Sequence, residues 1–332
     1  MSNPSIRISL FNRETDLDAI HRIWTTALPT YPLPKSHLEV LLPTPNAHHL
    51  TARKPAKTDT DPESNSTIIA FLLAYTSKKS TSTISVIAVL PDYQHQGIGS
   101  LLLSHSLQQF KSSFENEPEP IVNIGSTFPR FWPGIPKSLG EGVYAFFVKN
   151  GFIPKIGRSV DLYQDISDFS IKEEYVSRAR VAGYRFAALE QSGYEECLRG
   201  QERNFADNED WVKTYHTLPP TTHPDCIMAA FDPSGTQVAW TLMLPPTSPI
   251  LKSNWAMPVT CGANTGLIGC VGVDKDHRRK SGVGLALVAH AVADLKRRGV
   301  QGVFVDWVVL EGFYERVGFG VWRGGYTEGR IL

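Results

Sequence analysis

The chain contains one composite segment twice: an apolar strand, a polar turn with two glycines, and an amphipathic helix. The second copy runs from Leu267 to Gly299 and the first from Val86 to Phe110. Apolar residues recur at every third or fourth position of the second helix, at Leu285, Val288, Ala291, Val292 and Leu295. This spacing predicts one buried helix face, and Gly299 is typical of a helix end. The repeat predicts two halves with the same fold.

The repeat continues beyond the two helices. An aromatic run that ends in Gly-Phe follows in each half, at Ala145–Phe152 and at Gly312–Phe319. A single short glycine motif is common by chance, whereas the same two motifs in the same order in both halves are not. We therefore expect the two halves to correspond over most of their length.

The ends of the two halves are also predicted to match. A short helix at Val143–Lys149 and a closing strand at Val160–Tyr163 correspond to a helix at Glu311–Val317 and a strand at Val321–Tyr326. The segment Asp165–Ser177 is mostly polar and is predicted to bridge the halves. The closing strands could exchange between halves or between protomers, and the sequence leaves both arrangements open, including a homodimer.

The two glycine turns have the composition of an anion-binding site. The first turn reads QHQGIG (94–99) and the second reads RRKSGVG (278–284). When a strand enters a helix through such a turn, free backbone N–H groups point at one spot, and the helix dipole favours a negative charge there. The basic residues of the second turn strengthen this preference. The alternative is an ordinary strand–turn–helix unit with a solvated basic loop.

Both halves resemble the GNAT superfamily of acetyl-CoA-dependent N-acetyltransferases. That family has a Gln/Arg-x-x-Gly-x-Gly/Ala turn between its fourth strand and third helix, and residues 94–99 and 279–284 fit it. The aromatic runs FFVKNGF and FYERVGF match its later signature. The resemblance implies the α/β fold class: two tandem GNAT folds, each with a mixed, splayed central sheet flanked by helices. It places the domains at 1–168 and 178–332.

The resemblance implies acetyl-CoA as co-substrate, with its pyrophosphate on the glycine turns and its pantetheine arm along the preceding strands. In the first half, the expected cofactor-binding residues are Val89, Gln94, Gln96, Gly97, Ile98 and Gly99. In the second half, they are Val271, Val273, Arg278, Arg279, Lys280, Ser281, Gly282, Val283 and Gly284. The second loop is one residue longer, so Arg278 and Arg279 compete for the phosphate-side position.

Tyr314 is the expected general acid of the second half. In the family, a tyrosine just before the Gly-Phe pair commonly protonates the departing thiolate, and Tyr314 matches this position. The first half has Phe147 there, which has no proton to donate. Tyr144 lies one helical turn earlier and is a poor substitute. The alternative for Tyr314 is a core residue with its hydroxyl at the surface.

Asp306 is the expected base, or the anchor for the ammonium group of the acceptor. It lies on the apolar strand VFVDWV, where the family resemblance places the open end of the sheet. The alternative is an aspartate that is hydrogen-bonded to backbone at a strand end. Trp307 follows at a position where many relatives have asparagine, and it is a further expected substrate contact.

The acceptor is predicted to be a small-molecule amine. The aromatic loop at 126–136 suggests a wall for a sugar face on Trp132, or else packing between domains. The aromatic patterns of both halves resemble acetyltransferase modules fused to family-3 glycoside hydrolases that release N-acetylglucosamine, which implies an amino sugar, with glucosamine first. Other acceptors remain open: another small amine, an aminoglycoside or a peptide. A non-catalytic acetyl-CoA sensor is the further alternative.

Composition limits the other classes of partner. The formal net charge is zero, so neither a nucleic acid nor an anionic membrane is expected as a general partner. No apolar run is long enough for a membrane span, and the N-terminus lacks a secretory pattern, so a cytoplasmic location is expected. The four cysteines show no metal-ligand spacing, so no metal is expected and the thiols are predicted to be reduced.

The two halves are predicted to divide their roles. The first half has the cleaner glycine turn but lacks the tyrosine, whereas the second half has the tyrosine and more positive charge. We therefore expect catalysis in the second half. The first half is expected to bind acetyl-CoA without turnover, or to serve as a scaffold.

Overall fold

The chain divides into two compact units that interleave along the sequence. The computed structural model describes residues 6–55, 66–76, 81–113, 121–126, 128–155, 158–278 and 281–331. The first unit consists of Met1–Arg158, Ser253–Thr260 and Gly325–Leu332, and the second consists of Ser159–Lys252 and Cys261–Gly324.

Both units contain strands and helices. The strands are β1 (Arg7–Leu10), β2 (Leu50–Lys54), β3 (Thr67–Thr76), β4 (Thr81–Val89), β5 (Ile121–Ile124), β6 (Ile135–Pro136), β7 (Phe152–Pro154), β8 (Val160–Asp165), β9 (Arg185–Ala188), β10 (Ile227–Phe231), β11 (Gln237–Leu244), β12 (Thr265–Val273), β13 (Gly302–Val308), β14 (Gly320–Thr327) and β15 (Gly329–Ile331). The helices are α1 (Arg13–Ala27), α2 (Lys35–Leu41), α3 (Ile98–Ser113), α4 (Glu141–Lys149), α5 (Glu173–Val181), α6 (Tyr194–Phe205), α7 (Glu209–His216), α8 (Pro249–Asn254) and α9 (Val283–Arg297).

Each unit has one mixed sheet. The two sheets have the strand orders β1-β2-β3-β4-β5-β15-β7 and β6-β14-β8-β13-β12-β11-β10-β9. The central pairs β4–β5 and β12–β13 are parallel, while β3–β4 and β11–β12 are antiparallel. These two mixed sheets with flanking helices confirm the predicted α/β class and the tandem arrangement.

The parallel pair of each sheet separates before its strands end. The last paired residues of β12 and β13 are Leu267 and Phe304, whereas β12 continues to Val273. In the first unit, Ile84 is the last residue of β4 that pairs with β5, and β4 continues to Val89. A gap therefore opens beside the last five or six residues of β4 and β12. This is the splay that the family resemblance predicted.

The closing strands are exchanged between the two halves of the chain. β8, the predicted closing strand of the first half, lies between β14 and β13 in the sheet of the second unit. β15, at the end of the chain, lies between β5 and β7 in the sheet of the first unit and is antiparallel to both. Of the two arrangements that the sequence left open, this chain shows exchange between its own halves.

The predicted helix faces form the two cores. On α9, the five apolar residues named above are each at most 4% exposed. On α1, Leu17, Ile20, Ile23 and Trp24, whose spacing in the sequence also fits one helix face, are likewise buried. The helix α9 ends at Arg297, and Gly299 follows with φ +84°, a left-handed conformation suited to glycine. The spacing of apolar residues therefore identified both helices and their buried sides.

Two predicted elements differ in the structure. The helix predicted at Glu311–Val317 is wrong, since only a short 3-10 turn forms at Glu315–Val317. Gly312 has φ +74°, which a right-handed helix cannot contain, so the chain turns there instead. The polar segment predicted as a bridge contains the start of α5, whose Tyr175 and Ala179 are buried.

Candidate active site

The glycine turns have the same backbone conformation in both units. Gly97 has φ +81° and Gly282 has φ +72°, values at which other side chains are strained. Each glycine directly precedes a long helix, which begins at Ile98 in α3 and at Val283 in α9. The side chains of Ile98 and Val283 are buried, so both residues offer the turn only their backbone. Both turns therefore end on a helix N-terminus, which favours an anion.

One side chain of each turn returns to the preceding strand. Gln94 Nε2 donates to the Val89 carbonyl at 3.0 Å, and Arg278 Nε donates to the Val273 carbonyl at 2.8 Å. Both bonds span five residues, so Arg278 is the structural counterpart of Gln94. Its competitor for the phosphate-side position, Arg279, lies outside the described residues, as does Lys280.

Ser281 carries a buried hydroxyl in the second turn. Its oxygen has no hydrogen-bond partner among the residues that the structure describes. In the first turn, the Gln96 amide donates to the Asp92 carbonyl at 2.9 Å. A buried polar atom without a partner costs about 1–3 kcal/mol, so the Ser281 hydroxyl fits a turn that closes on an anionic ligand such as a pyrophosphate.

The second glycine of each turn lies against the preceding strand and the aromatic run. A Cβ atom on Gly99 would lie 3.2 Å from the Phe146 ring and 3.9 Å from Val89. A Cβ atom on Gly284 would lie 3.2 Å from Val273 and 3.5 Å from the Phe313 ring. The contacts are equivalent in the two units. They align Phe146 with Phe313, and consequently Phe147 with Tyr314.

The ring of Tyr314 is held by two aromatic neighbours. Its centroid lies 4.9 Å from that of Phe313 and 6.1 Å from that of Phe319. In the first unit, Phe147 has the same two contacts with its own neighbours, at 5.1 and 6.2 Å. The two rings therefore occupy equivalent positions, and the second unit differs by one phenolic hydroxyl.

That hydroxyl lies near the predicted carboxylate. Burial raises the pKa of Tyr314 above its ordinary value of 10.0, and the charges of Asp306 and Cys270 raise this pKa further. A raised pKa keeps the phenol protonated at neutral pH, as a proton donor must be. Asp306 and Cys270 are therefore close enough to Tyr314 for their charges to act on its hydroxyl.

A β-bulge shapes β12 at this point. Trp240 pairs with Gly272 and Leu242 with Gly269, so Cys270 and Val271 together lie opposite one residue of β11. Cys270 has φ +50°, which is rare for a residue with a side chain. Its carbonyl accepts a 2.9 Å hydrogen bond from the Tyr215 hydroxyl of α7.

Asp306 lies beside the same stretch of β12. A Cβ atom on Gly269 would lie 3.9 Å from Asp306 Oδ1, which places the carboxylate next to β12, in the gap between β12 and β13. Trp307 follows with φ +53°, and its backbone N–H donates to Asp161 Oδ1 at 2.9 Å. Asp161 lies on β8 and is only 1% exposed.

The first unit lacks the corresponding carboxylate. The residue that aligns with Asp306 through the paired strands is Gly125, with φ +119°. A Cβ atom there would lie 2.5 Å from the Pro133 carbonyl oxygen, so the loop after β5 leaves no room for a side chain. The first unit therefore has the glycine turn without either of the two predicted catalytic groups.

Trp132 lies inside the aromatic core of the first unit. It is 3% exposed, stacks on Trp24 with centroids 5.9 Å apart, and meets the edge of Tyr31 at 5.0 Å. Phe131 packs on Trp24 at a further 5.9 Å. With its ring covered in this way, Trp132 belongs to the packing of the first unit, and it is not a surface on which a sugar could stack.

Sequence reasoning identified the groups that lie within motifs and missed their nonlocal partners. Tyr215 and Asp161 carry no motif, and each reaches the site through a hydrogen bond to a residue distant in sequence. Within the described residues, no group of His, Cys, Asp and Glu could hold a metal ion, and no helix is long and apolar enough to cross a membrane. None of the four cysteines, which all lie within the described residues, forms a disulfide.

Comparisons with known proteins agree with this geometry. The model of the Acetyltransferase (GNAT) family matches residues 17–117 and 193–319. No curated protein matches the sequence. Among solved structures, a GCN5-related glucosamine N-acetyltransferase region in a fungal multi-domain GH3 beta-N-acetylglucosaminidase is similar, with 26% identity and a TM-score of 0.86. The match covers 100% of this chain but only 38% of the fungal chain.

Two further structures share the tandem fold. A GCN5-related N-acetyltransferase from Sphaerobacter thermophilus has 16% identity and a TM-score of 0.68, covering 98% of this chain and 95% of its own. A tandem GNAT protein from the clavulanic acid biosynthesis pathway has 12% identity and a TM-score of 0.60, covering 98% and 97%. Because the family model matches both halves and more than half of the chain, this protein belongs to the GNAT family of acetyltransferases, enzymes that use acetyl-CoA.

Proposed function

We propose that this N-acetyltransferase acetylates the amine of an amino sugar, with glucosamine as the first candidate, and that its second unit carries the reaction. The amino sugar is supported by the likeness to the fungal glucosamine N-acetyltransferase region, which extends over the whole of this chain. Asp306 supports it as well, since a carboxylate in the gap suits a small cationic acceptor.

The observation that carries the catalytic assignment is the electrostatic effect of Asp306 on Tyr314. The raised pKa keeps the partly buried phenol of Tyr314 protonated, and the Asp306 charge contributes to that rise. The Asp306 carboxylate lies next to Gly269, where β12 and β13 have separated. These observations support a proton donor and a proton acceptor at one site.

The second turn fits the phosphates of acetyl-CoA. Gly282 and the start of α9 offer backbone N–H groups, and Arg278 adds a positive charge. Ser281 offers a hydroxyl that has no partner among the described residues. Beyond Leu267, the described residues of β12 do not pair with β13, which leaves this edge open to an extended arm. When bound, acetyl-CoA supplies an activated acetyl group as a thioester.

Two residues move protons in the proposed reaction. The ammonium form of the acceptor first loses one proton to solvent, and Asp306 takes the second proton as the nitrogen–carbon bond forms. Tyr314 gives its proton to the sulfur as the carbon–sulfur bond breaks. Exchange with solvent then returns a proton to Tyr314 and removes one from Asp306. Tyr215 fixes the Cys270 carbonyl and so holds the bulge in place.

The first unit is proposed to bind acetyl-CoA without turnover, or to serve as a scaffold. Its turn keeps Gly97 in the left-handed conformation and the hydrogen bond of Gln94. Phe147 and Gly125 replace the tyrosine and the aspartate, so no proton donor or acceptor flanks its gap.

The test measures free-thiol release from acetyl-CoA with glucosamine as acceptor. Tyr314→Phe removes one hydroxyl, and we expect kcat to fall by about 10²–10³-fold with little change in KM for acetyl-CoA. Phe147→Tyr is the matched control, since it adds the hydroxyl to the first unit and should leave kcat unchanged. Turnover that survives Tyr314→Phe would overturn the assignment of the catalytic unit.

The acceptor is tested separately with a panel. Glucosamine, kanamycin and an amino-terminal peptide are compared, and N-acetylglucosamine serves as the blocked control. We expect turnover with glucosamine and none with the blocked sugar. Turnover with kanamycin or the peptide alone would overturn the amino-sugar assignment while leaving the catalytic unit as proposed.

A further inference from the structure

The end of α6 is attached to the cofactor turn of the second unit by several polar contacts. Arg203 donates to Asp274 Oδ2 at 2.5 Å, and Asn204 Nδ2 donates to the same oxygen at 3.1 Å. In return, Asn204 Oδ1 accepts from the Lys275 backbone N–H at 3.1 Å. Asp274 is the residue directly after β12, so these contacts fix the first step of the turn.

Phe205, the last residue of α6, makes the apolar part of the attachment. A Cβ atom on Gly272 would lie 2.3 Å from its ring, so the ring lies directly on the backbone of β12. The guanidinium of Arg278 lies over the same ring, 5.6 Å from its centroid. Arg278 is therefore held twice: by the Phe205 ring and by its Nε bond to Val273.

The contacts made by Arg203, Asn204, Phe205 and Asp274 are here called the clasp. Its aspartate, Asp274, is ionised at neutral pH. Burial alone would raise the pKa of Asp274, but hydrogen bonds from Arg203, from the Asp276 backbone and from Asn204 lower it to about 2. The group is ionised throughout neutral pH, and only acid near its pKa would release it. Asp274 is thus an anionic partner for Arg203 at neutral pH.

The first unit has no counterpart of this charge. Leu90 follows β4 and bonds to the Ile69 carbonyl at 3.0 Å, as Asp274 bonds to the Val238 carbonyl at 2.7 Å. A leucine side chain accepts no hydrogen bond, and the uncharged Gln94 stands where Arg278 stands in the second unit. Of the two glycine turns, the one next to the clasp is therefore the one that carries a cation, Arg278, at this position.

We propose that Arg203, Asn204, Phe205 and Asp274 are positioning residues that hold Arg278 for the phosphate end of acetyl-CoA. A guanidinium fixed through Nε and through one ring face keeps its two terminal nitrogens directed outward, where they can donate together to a phosphate. Holding this side chain in advance reduces the entropy lost on binding. The inference rests on the proposed binding of acetyl-CoA in the second unit.

The clasp also contacts α7, the helix that reaches Cys270 on β12. The Phe205 ring stacks on Trp211 of α7 at 5.0 Å, and Trp211 Nε1 donates to Gln201 of α6 at 3.1 Å. The same helix α7 carries Tyr215, which bonds to the Cys270 carbonyl. One helix pair therefore contacts the free stretch of β12 at two positions, Gly272 and Cys270.

The test separates positioning of Arg278 from general damage to the fold. KM for acetyl-CoA and kcat are measured for Phe205→Leu and Asp274→Asn, each alone and combined with Arg278→Ala. We expect each clasp variant alone to raise KM for acetyl-CoA by about tenfold, with kcat within about twofold of wild type. In the Arg278→Ala background, we expect the same substitutions to cause no further rise in this KM. Arg199→Gln, an exposed α6 residue outside the clasp, is the control.

A second donor makes the test independent of folding losses. S-acetylpantetheine lacks the phosphates, so its kcat/KM should be unchanged in the clasp variants, whereas a misfolded enzyme would lose activity with both donors. Equal KM increases with and without Arg278 would overturn the clasp. If Arg278→Ala itself left KM unchanged, the proposed binding in the second unit would fail, and the clasp with it.

Discussion

Two of the side chains proposed for catalysis in the second unit have no equivalent in the first. Tyr314 and Phe147 occupy the same aromatic niche, and Asp306 corresponds to Gly125. The change at Gly125 is the more restrictive one, because the Pro133 carbonyl blocks any Cβ atom. Restoring the tyrosine alone would therefore leave the first unit without a proton acceptor.

The pH dependence of kcat tests the role of Tyr314. Its pKa lies above the ordinary 10.0, so the donating form persists to higher pH than in an exposed tyrosine. At saturating substrates, we expect no loss of kcat attributable to this group between pH 7 and 10, and a decline only above pH 10. An ultraviolet titration should show one fewer tyrosine ionising above pH 10 in Tyr314→Phe. If the tyrosine that disappears from the titration of Tyr314→Phe ionises below pH 10 in the wild type, the role of Tyr314 as proton donor is contradicted.

Asp306→Asn distinguishes the two roles that the sequence left open. If the carboxylate takes the proton, as proposed, kcat falls by about 10²-fold and KM for the acceptor changes little. If it only anchors the ammonium group, KM for the acceptor rises and kcat is largely kept. Steady-state kinetics with varied glucosamine decide between them, and Asp276→Asn, an exposed aspartate of the neighbouring turn, is the control.

Most of the candidate residues that sequence reasoning named lie inside repeated motifs, whereas Asp306 stood out as a carboxylate on an apolar strand. The residues that it missed act across the fold. Tyr215 bonds to a carbonyl 55 residues away, and Asp161 to an N–H 146 residues away. Neither distance leaves a pattern in a single sequence. The left-handed conformation of Cys270 is also invisible there, because cysteine rarely adopts it and no glycine marks the place.

At the scale of elements, hydrophobic periodicity was sufficient where a helix or strand is long. The helices α3 and α9 and the strands β4 and β12 lie where the repeated segment predicted them. The last predicted helix failed because its sequence run is short and Gly312 turns left-handed. The order of strands in each sheet could not be read at all, since periodicity carries no information on which strands pair.

β15 is an element whose removal should act on one unit only. It supplies hydrogen bonds to β5 on one side and to β7 on the other, and burial of Ile331 alone contributes about 1.5–3 kcal/mol. We expect deletion of residues 328–332 to speed hydrogen exchange in β5 and β7 while β10–β12 keep their protection. Arg330→Ser, an exposed position on β15, is the matched control. An equal loss of hydrogen-exchange protection in both sheets would contradict an effect on the first unit alone.

The exchange of strands makes the whole molecule more than two domains in series. β8 comes from the end of the first half but completes the second sheet, and β15 comes from the end of the chain but completes the first. Each half therefore carries a strand that the sheet of the other requires. Since Asp161 of β8 also bonds to the Trp307 backbone, the exchanged strand reaches the candidate active site.

Complementation between fragments tests this dependence. Residues 1–168 carry β8 without the sheet that holds it, and residues 178–332 carry β15 without the sheet that holds it. Alone, the first fragment lacks the β15 strand that lies between β5 and β7, and the second lacks the β8 strand that lies between β14 and β13. We therefore expect neither fragment to release thiol from acetyl-CoA. Co-expressed, they can exchange strands and should recover activity as a one-to-one complex in gel filtration. Deleting residues 160–165 from the first fragment should abolish the rescue, because β13 and β14 then lack the strand between them. Full activity of 178–332 alone would show that β8 is dispensable.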